Sequence, residues 1–229
     1  MSRNILYILV AAISVAALAA CAPSTAGTGA SNSQAVTAAP TTAGSVSSNP
    51  TTTSSIIVDT GAASGLACSA GATSASVTPS LTEGPYYKSG SPEQANLYQD
   101  GMAGTKLVIT GYVYDTNCKP VANAWLDFWQ ADANGNYDNS GYTLRGHQYT
   151  DANGRFHLTT VVPGLYPGRT EHIHVKVQPP NGQILTSQLF FPGVTQNDSD
   201  GIYNASLLLS LTQTSKGLEG QYNFVVPAS

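Results

Sequence analysis

The sequence predicts an all-β sandwich, one folded domain over 68–229. Three observations carry this expectation. Apolar residues recur in short runs that alternate with polar ones, the period of a half-buried strand. Residues that tolerate positive φ cluster between those runs, and Asp-Ala-Asn-Gly occurs twice, at Asp132–Gly135 and Asp151–Gly154. Helical periodicity is hard to find anywhere in the stretch. A domain of this size buries roughly two-thirds of its unfolded surface, so a single core is sufficient.

Taken in order, Leu107–Tyr114 reads as the first strand, with Leu107, Ile109 and Val113 on one face. Ala124–Trp129 follows, rich in the aromatic residues that strands favour. Phe156–Val162, His172–Val177, Leu185–Phe191 and Tyr222–Val226 complete the set. The two Asp-Ala-Asn-Gly copies lie too close together to mark a repeat and read as tight turns. Ser206–Leu211 fits either a short helix or a strand.

The region before the domain is different in kind. Between Arg3 and Asp59 there is no charged residue, although the chain carries 9 Lys+Arg and 13 Asp+Glu. Arg3 and the apolar run Ile5–Leu18 form a leader over 1–20, too short to span a bilayer comfortably. Its end, Leu18-Ala19-Ala20-Cys21, resembles the bacterial lipobox, in which the cysteine becomes a lipidated first residue. The other reading is an ordinary secretory signal. Both export the chain. Residues 21–67 are dominated by Ala, Ser, Thr, Gly and Pro, too few large apolar groups to offset the entropy of ordering. They read as a tether that lifts the domain off a membrane through the lipid at Cys21.

Charge narrows the function. A net charge of −4 leaves no basic excess for phosphates, so nucleic-acid binding is disfavoured. Export places Cys68 and Cys118 in an oxidising compartment as an even pair. They are expected to form a disulfide pinning the domain's start to the turn at Asp115–Cys118.

The chemistry concentrates at Tyr166–His174. His172 and His174 are two apart on a strand and share a face. Such a pair is either a metal site or two solvated imidazoles, and H-x-H alone does not decide between them. Tyr137 and Tyr166 sit beside turns, at strand-end or loop positions where functional groups concentrate. A hard, highly charged ion such as Fe(III) favours phenolate oxygen, and two phenolates with two neutral imidazoles would leave a site of charge +1.

In sequence, Leu81–Tyr87, Leu126–Tyr137, Leu144–Gly146, Thr150–Phe156, Pro163–Pro167 and His172–His174 resemble the intradiol ring-cleavage dioxygenases. These are the non-haem Fe(III) enzymes that act on catechol, hydroxyquinol and protocatechuate. The resemblance implies one Fe(III) per chain, held by Tyr137, Tyr166, His172 and His174. By the family pattern, Tyr166 is the phenolate that leaves when the diol chelates, and Tyr137 the one that stays. Arg169 resembles the arginine that stabilises negative charge on the reacting ring, and Gln188 the glutamine near iron. Thr82, Gly84, Pro85 and Tyr86 would line the substrate pocket. The implied reaction cleaves a catechol-type ring between its two hydroxyls, placing both atoms of O2 in a cis,cis-muconate-type diacid.

Two departures from the pattern stand out. The tether occupies the place of an amino-terminal helical dimerisation region, which leaves the oligomeric state open. The stretch from Tyr166 to His172 is shorter than in the cytoplasmic enzymes, which suggests an open pocket accepting substituted catechols. A competing resemblance is to prealbumin-like modules that bind ligands without catalysis, through Gly111–Asp115, Pro120–Ala124 and Gly154–Phe156. It accounts for the fold but not for Tyr137, Tyr166, His172 and His174 together.

Overall fold

The computed structural model describes residues 66–69 and 71–228. The expected leader (1–20), the lipidation site Cys21 and most of the tether (21–67) lie outside the described residues. The strands, in chain order, are β1 (Lys106–Asp115), β2 (Trp125–Trp129), β3 (Arg145–Tyr149), β4 (Arg155–Val161) and β5 (His172–Gln178). They continue as β6 (Leu185–Phe190), β7 (Ser210–Thr214), β8 (Gly217–Gln221) and β9 (Phe224–Val226). One sheet has the order β4-β1-β8-β7, with β9 also pairing β1; the other has the order β3-β2-β5-β6. The fold is the β-sandwich expected from the alternating pattern.

Leu107, Ile109 and Val113 of β1 point inward against Leu126 and Phe128 of β2 and Ile173, Val175 and Val177 of β5. All eight are fully buried. Gly111 occupies the remaining inward position of β1 because no side chain fits there. A Cβ would lie 1.7 Å from the Tyr222 carbonyl oxygen. Chain closure is therefore tight where β1 meets the last strands.

Three turns share one hydrogen-bond scheme. In each, an aspartate Oδ1 accepts from the backbone N–H two and four residues on. These are Asp132 (from Asn134 and Asn136), Asp151 (from Asn153 and Arg155) and Asp115 (from Asn117 and Lys119). The fourth residue is left-handed in all three: Gly135 at φ 82°, Gly154 at φ 75° and Cys118 at φ 55°. Cys118 thus holds a position the other two turns give to glycine, and from it reaches Cys68 in the expected disulfide.

Ser206–Leu211 divides between the two expectations. Ala205–Leu207 is a 3-10 turn capped by Asn204, and β7 begins at Ser210. β3 and β8 are strands that no apolar alternation announces.

One irregular segment matters for the site. Residues 79–94 lie across the outer face of the β3-β2-β5-β6 sheet, and 95–98 continue to Thr159 of β4 in the other sheet. Leu81 N–H donates to the Thr186 carbonyl, Ser187 Oγ to the Pro79 carbonyl, and His147 N–H to the Pro92 carbonyl. That cover turns an outer sheet face into a buried one.

Candidate metal centre

The period of β5 sets the first half of the site. Ile173 and Val175 enter the core, so His172 and His174 project from the opposite face. The covering segment leaves them only 2% and 1% exposed. Gly84 makes this closeness possible: a Cβ there would lie 3.3 Å from His174 Cε1, and its φ is +73°.

The second half comes from two loops locked backbone to backbone. Gly164 N–H donates to the Asp132 carbonyl at 2.8 Å. A Cβ on Gly135 would lie 2.1 Å from the Leu165 carbonyl oxygen, and one on Gly164 would lie 2.4 Å from that of Ala133. Only glycine allows this approach, which brings Tyr137 and Tyr166, each two residues past its glycine, edge to face at 5.8 Å between ring centroids.

The four predicted donors therefore converge. Ring centroids are 5.6 Å apart for Tyr166 and His172, 6.4 Å for Tyr137 and His174, and 4.6 Å for the two histidines. The Nε2 atoms of His172 and His174 face each other at 3.0 Å. His172 Nδ1 lies 2.6 Å from the Thr170 carbonyl, to which only a protonated nitrogen can donate, so its Nε2 lone pair is free. Tyr137 Oη is buried with no hydrogen-bond partner among the described residues. Buried polar atoms without partners are rare, and a cation held at this Oη would satisfy it.

Electrostatics agree with a site prepared for a cation. Burial, reinforced by the Arg169 charge, holds His172 at about 4, and burial and the His172 charge push His174 well below the ordinary range. Both are neutral at pH 7 and able to ligate. Burial, with neighbouring Tyr166, raises the Tyr137 phenol far above its usual value, so it ionises only against a strong positive charge. Two phenols and two neutral imidazoles suit Fe(III).

The remaining predicted residues gather around these four. Arg169 Nη2 donates to Gln188 Oε1 at 2.6 Å, and Nη1 lies 3.4 Å from Tyr166 Oη. Gln188, fully buried, donates from Nε2 to the Thr82 carbonyl. Tyr86 stacks on Tyr137 with centroids 4.3 Å apart and planes 15° from parallel, and meets Tyr166 edge-on. Pro85 lines a neighbouring hollow with Tyr86, Tyr87, Lys88, Asn139 and Arg145. An open cavity of about 350 Å³ lies beside Tyr166, bounded by Leu165–Arg169, Gln196, Ser199 and Asp200.

Three residues at the site were not singled out by role in the sequence. Asp200 binds Arg169, Trp129 stacks on His174, and Arg145 donates to the backbone carbonyls of Asp138 and Tyr86 on either side of Tyr137. Trp129 carried a usable signal: it alternates out of the core in β2 as His174 does in β5. Asp200 carried none, because its partner is 31 residues away.

The sandwich is of the dioxygenase class. It superposes on the dioxygenase domain of a dioxygenase–carbohydrate-binding protein fusion from the cellulolytic bacterium Streptomyces sp. SirexAA-E, with a TM-score of 0.66 and 46% identity. That match covers 67% of this chain and 100% of the other. The 3-chlorocatechol 1,2-dioxygenase of Rhodococcus opacus 1CP superposes with a TM-score of 0.62 and 31% identity, covering 66% and 73% of the two chains. Residues 82–227 match the family model described as "Dioxygenase". Catechol 1,2-dioxygenase 2 of Acinetobacter lwoffii is 33% identical over 142 residues, 51% of this chain and 52% of its own. The 6-chlorohydroxyquinol 1,2-dioxygenase of Cupriavidus pinatubonensis is 29% identical over 145 residues, 52% of each. The chain spans about half the length of these curated relatives. It belongs to the intradiol ring-cleavage dioxygenase family, whose members use non-haem Fe(III).

Proposed function

We propose that this protein is a non-haem Fe(III) dioxygenase that opens catechol-type diols between the two hydroxyls, giving cis,cis-muconate-type diacids with both atoms of O2. The convergence of Tyr137, Tyr166, His172 and His174, with Tyr137 Oη buried and unpartnered, carries this reading. Bound Fe(III) would supply Lewis acidity and a template for the two diol oxygens.

The chain's own groups divide the remaining work. The Thr170 carbonyl fixes the tautomer and orientation of His172. Tyr137, with its Oη buried and its ring stacked under Tyr86, is the phenol that stays. Tyr166, half-buried and beside an open cavity, is the one that can swing aside and take a diol proton at Oη. Arg169 presents its guanidinium where negative charge develops on the ring, held there by Gln188. Thr82, Gly84, Pro85 and Tyr86, on the covering segment, would line the substrate pocket, with Gly84 against His174 and Tyr86 against Tyr137.

The shorter Tyr166–His172 stretch and the open cavity beside it support acceptance of substituted catechols. The Cys68–Cys118 disulfide supports an oxidising location, in keeping with export and a lipid anchor at Cys21. Loss of labelling by a fatty-acid precursor in Cys21→Ser would be the expected result for the anchor.

The decisive experiment is spectroscopic and chemical. Iron-loaded protein should show a visible phenolate-to-Fe(III) charge-transfer band, altered in Tyr166→Phe, and should convert catechol to a muconate-type diacid. Iron-loaded protein without the band would defeat the ligand assignment. A band without ring cleavage would leave an iron-binding module in place of an enzyme.

A further inference from the structure

The guanidinium of Arg169 is gripped on several sides. Besides Gln188 and Tyr166, its Nε donates to Asp200 Oδ2 at 2.9 Å, in an ion pair whose side chains are 13% and 2% exposed. The carboxylate is itself fixed by the backbone. Oδ2 also accepts from Thr170 N–H at 2.9 Å, and Oδ1 accepts from Ile202 N–H at 3.0 Å. Among the described residues, no other acid forms an ion pair with Arg169. Asp200 lies in the loop after β6 and belongs to none of the predicted site residues.

We propose that Asp200 is the positioning residue for Arg169, aiming Nη1 and Nη2 at Tyr166 and Gln188 by anchoring Nε. The inference rests on the role given to Arg169 above. An arginine has several freely rotating bonds, and an unanchored guanidinium would sample many positions in the open cavity beside it. Charge stabilisation by an arginine depends on placement, and an ångström of misplacement can lower a rate about a hundredfold. Anchoring Nε leaves the two terminal nitrogens for the reaction side, the division of labour expected of a planar donor fork.

Asp200 touches a second path, because Thr170 holds His172 through its carbonyl. Asp200→Asn separates the two. The amide keeps an acceptor for Thr170 or Ile202 N–H but removes the charge that holds the guanidinium. In iron-loaded, full-length protein, Asp200→Asn should lower kcat for catechol about 10- to 100-fold, shift KM less than about threefold, and leave the visible band unchanged. The double variant with Arg169→Gln should be no slower than Arg169→Gln alone. In iron-free protein, the Nε–H of Arg169, assigned by its loss in Arg169→Gln, should exchange slowly in 15N spectra of the wild type and rapidly in Asp200→Asn.

Several results would overturn the proposal. Wild-type kcat in Asp200→Asn, with Arg169→Gln slow, removes Asp200 and leaves the reading of Arg169 standing. Wild-type turnover in Arg169→Gln removes both. A lost or shifted visible band in Asp200→Asn assigns the effect to His172 instead. A rapidly exchanging Arg169 Nε–H in the wild type refutes the anchor even if Asp200→Asn does not fold.

Discussion

The indole of Trp129 lies flat against the imidazole of His174, ring centroids 4.8 Å apart and planes 8° from parallel. The β2–β5 register places the two residues directly opposite, and Tyr87 packs on Trp129 in turn, at 4.8 Å and 60°. Among the described residues His174 has no hydrogen-bond partner at Nδ1 to set its rotation, so ring stacking takes that task. His172 is fixed instead by a hydrogen bond. The two histidines are thus oriented by different forces, which makes their responses to substitution separable.

Trp129→Leu removes the stack from a residue only 1% exposed. Loss of a buried indole costs about 3 kcal/mol or more, which a urea denaturation midpoint will register. His174 then turns freely, so iron retention against a chelator should fall about tenfold or more. A variant that loses stability but retains iron like the wild type would show that the sheet alone orients His174.

Gly164→Ala and Gly168→Ala form a matched pair of glycine substitutions. At Gly164 the new Cβ meets the Ala133 carbonyl oxygen at 2.4 Å, so the two tyrosine-bearing loops must separate. A loss of roughly 3 kcal/mol and a weakened charge-transfer band are expected, in line with overpacking of rigid backbone. At Gly168 a Cβ meets nothing within 4 Å, and only its φ of +80° opposes alanine. About 1 kcal/mol should be lost there, with the band intact. Equal losses at both positions would contradict the backbone-lock account of the tyrosine pair.

These residues also mark how far the sequence could be read. Strands with alternating apolar residues, such as Leu107–Tyr114 and His172–Val177, declared themselves, and strand period alone placed His172 and His174 on one face. β3 did not, because Arg145-Gly146-His147-Gln148-Tyr149 takes its burial from the covering segment rather than from its own apolar side chains. β8, with Gly217 and Gly220 and an exposed Glu219, has no periodicity to detect. The meeting of Tyr137 with Tyr166 depends on two glycines 29 positions apart, and the grip of Asp200 on Arg169 on a loop after β6. Family resemblance supplied the first of these. Tertiary structure supplied the second.

Acid should weaken the iron-free protein through its buried histidines. Burial, then the Arg169 charge, lowers His172 from 6.5 to about 4, and His174 moves in the same direction. Between those values the unfolded chain binds protons that the folded one refuses. Stability is therefore full above about pH 6.5 and declines as pH falls toward 4, by on the order of 3 kcal/mol from His172. Urea midpoints measured across that window should show the slope. It should flatten in a His172→Gln, His174→Gln double variant, and an unchanged slope there would assign the acid sensitivity to other groups.

The Cys68–Cys118 disulfide closes a loop with a sequence separation of 50 that contains none of the four donors. Loop-closure entropy assigns such a link about 4 kcal/mol. Cys68→Ser, Cys118→Ser protein should unfold at a lower temperature while keeping its charge-transfer band and catechol turnover at 25 °C. Loss of the band without unfolding would mean that the amino-terminal staple reaches the metal centre.

Tyr86 covers Tyr137 with its ring and closes the gap toward Tyr166, so its removal tests what the cover does. A ring stacked on a phenol shields it from water and restricts where a planar diol can lie. Tyr86→Ala should leave the fold intact, because the side chain is only half-buried and Arg145 grips its backbone carbonyl rather than its ring. Iron should still bind, since Tyr86 is not among the four donors. The expected changes are a rise in KM for catechol of about tenfold, from lost contact area, and a smaller fall in kcat. Tyr86→Phe keeps the stack and loses only the hydroxyl, so it should behave nearly as the wild type. If Phe failed as Ala does, the hydroxyl would be the working part of Tyr86 and the stacking account would be wrong.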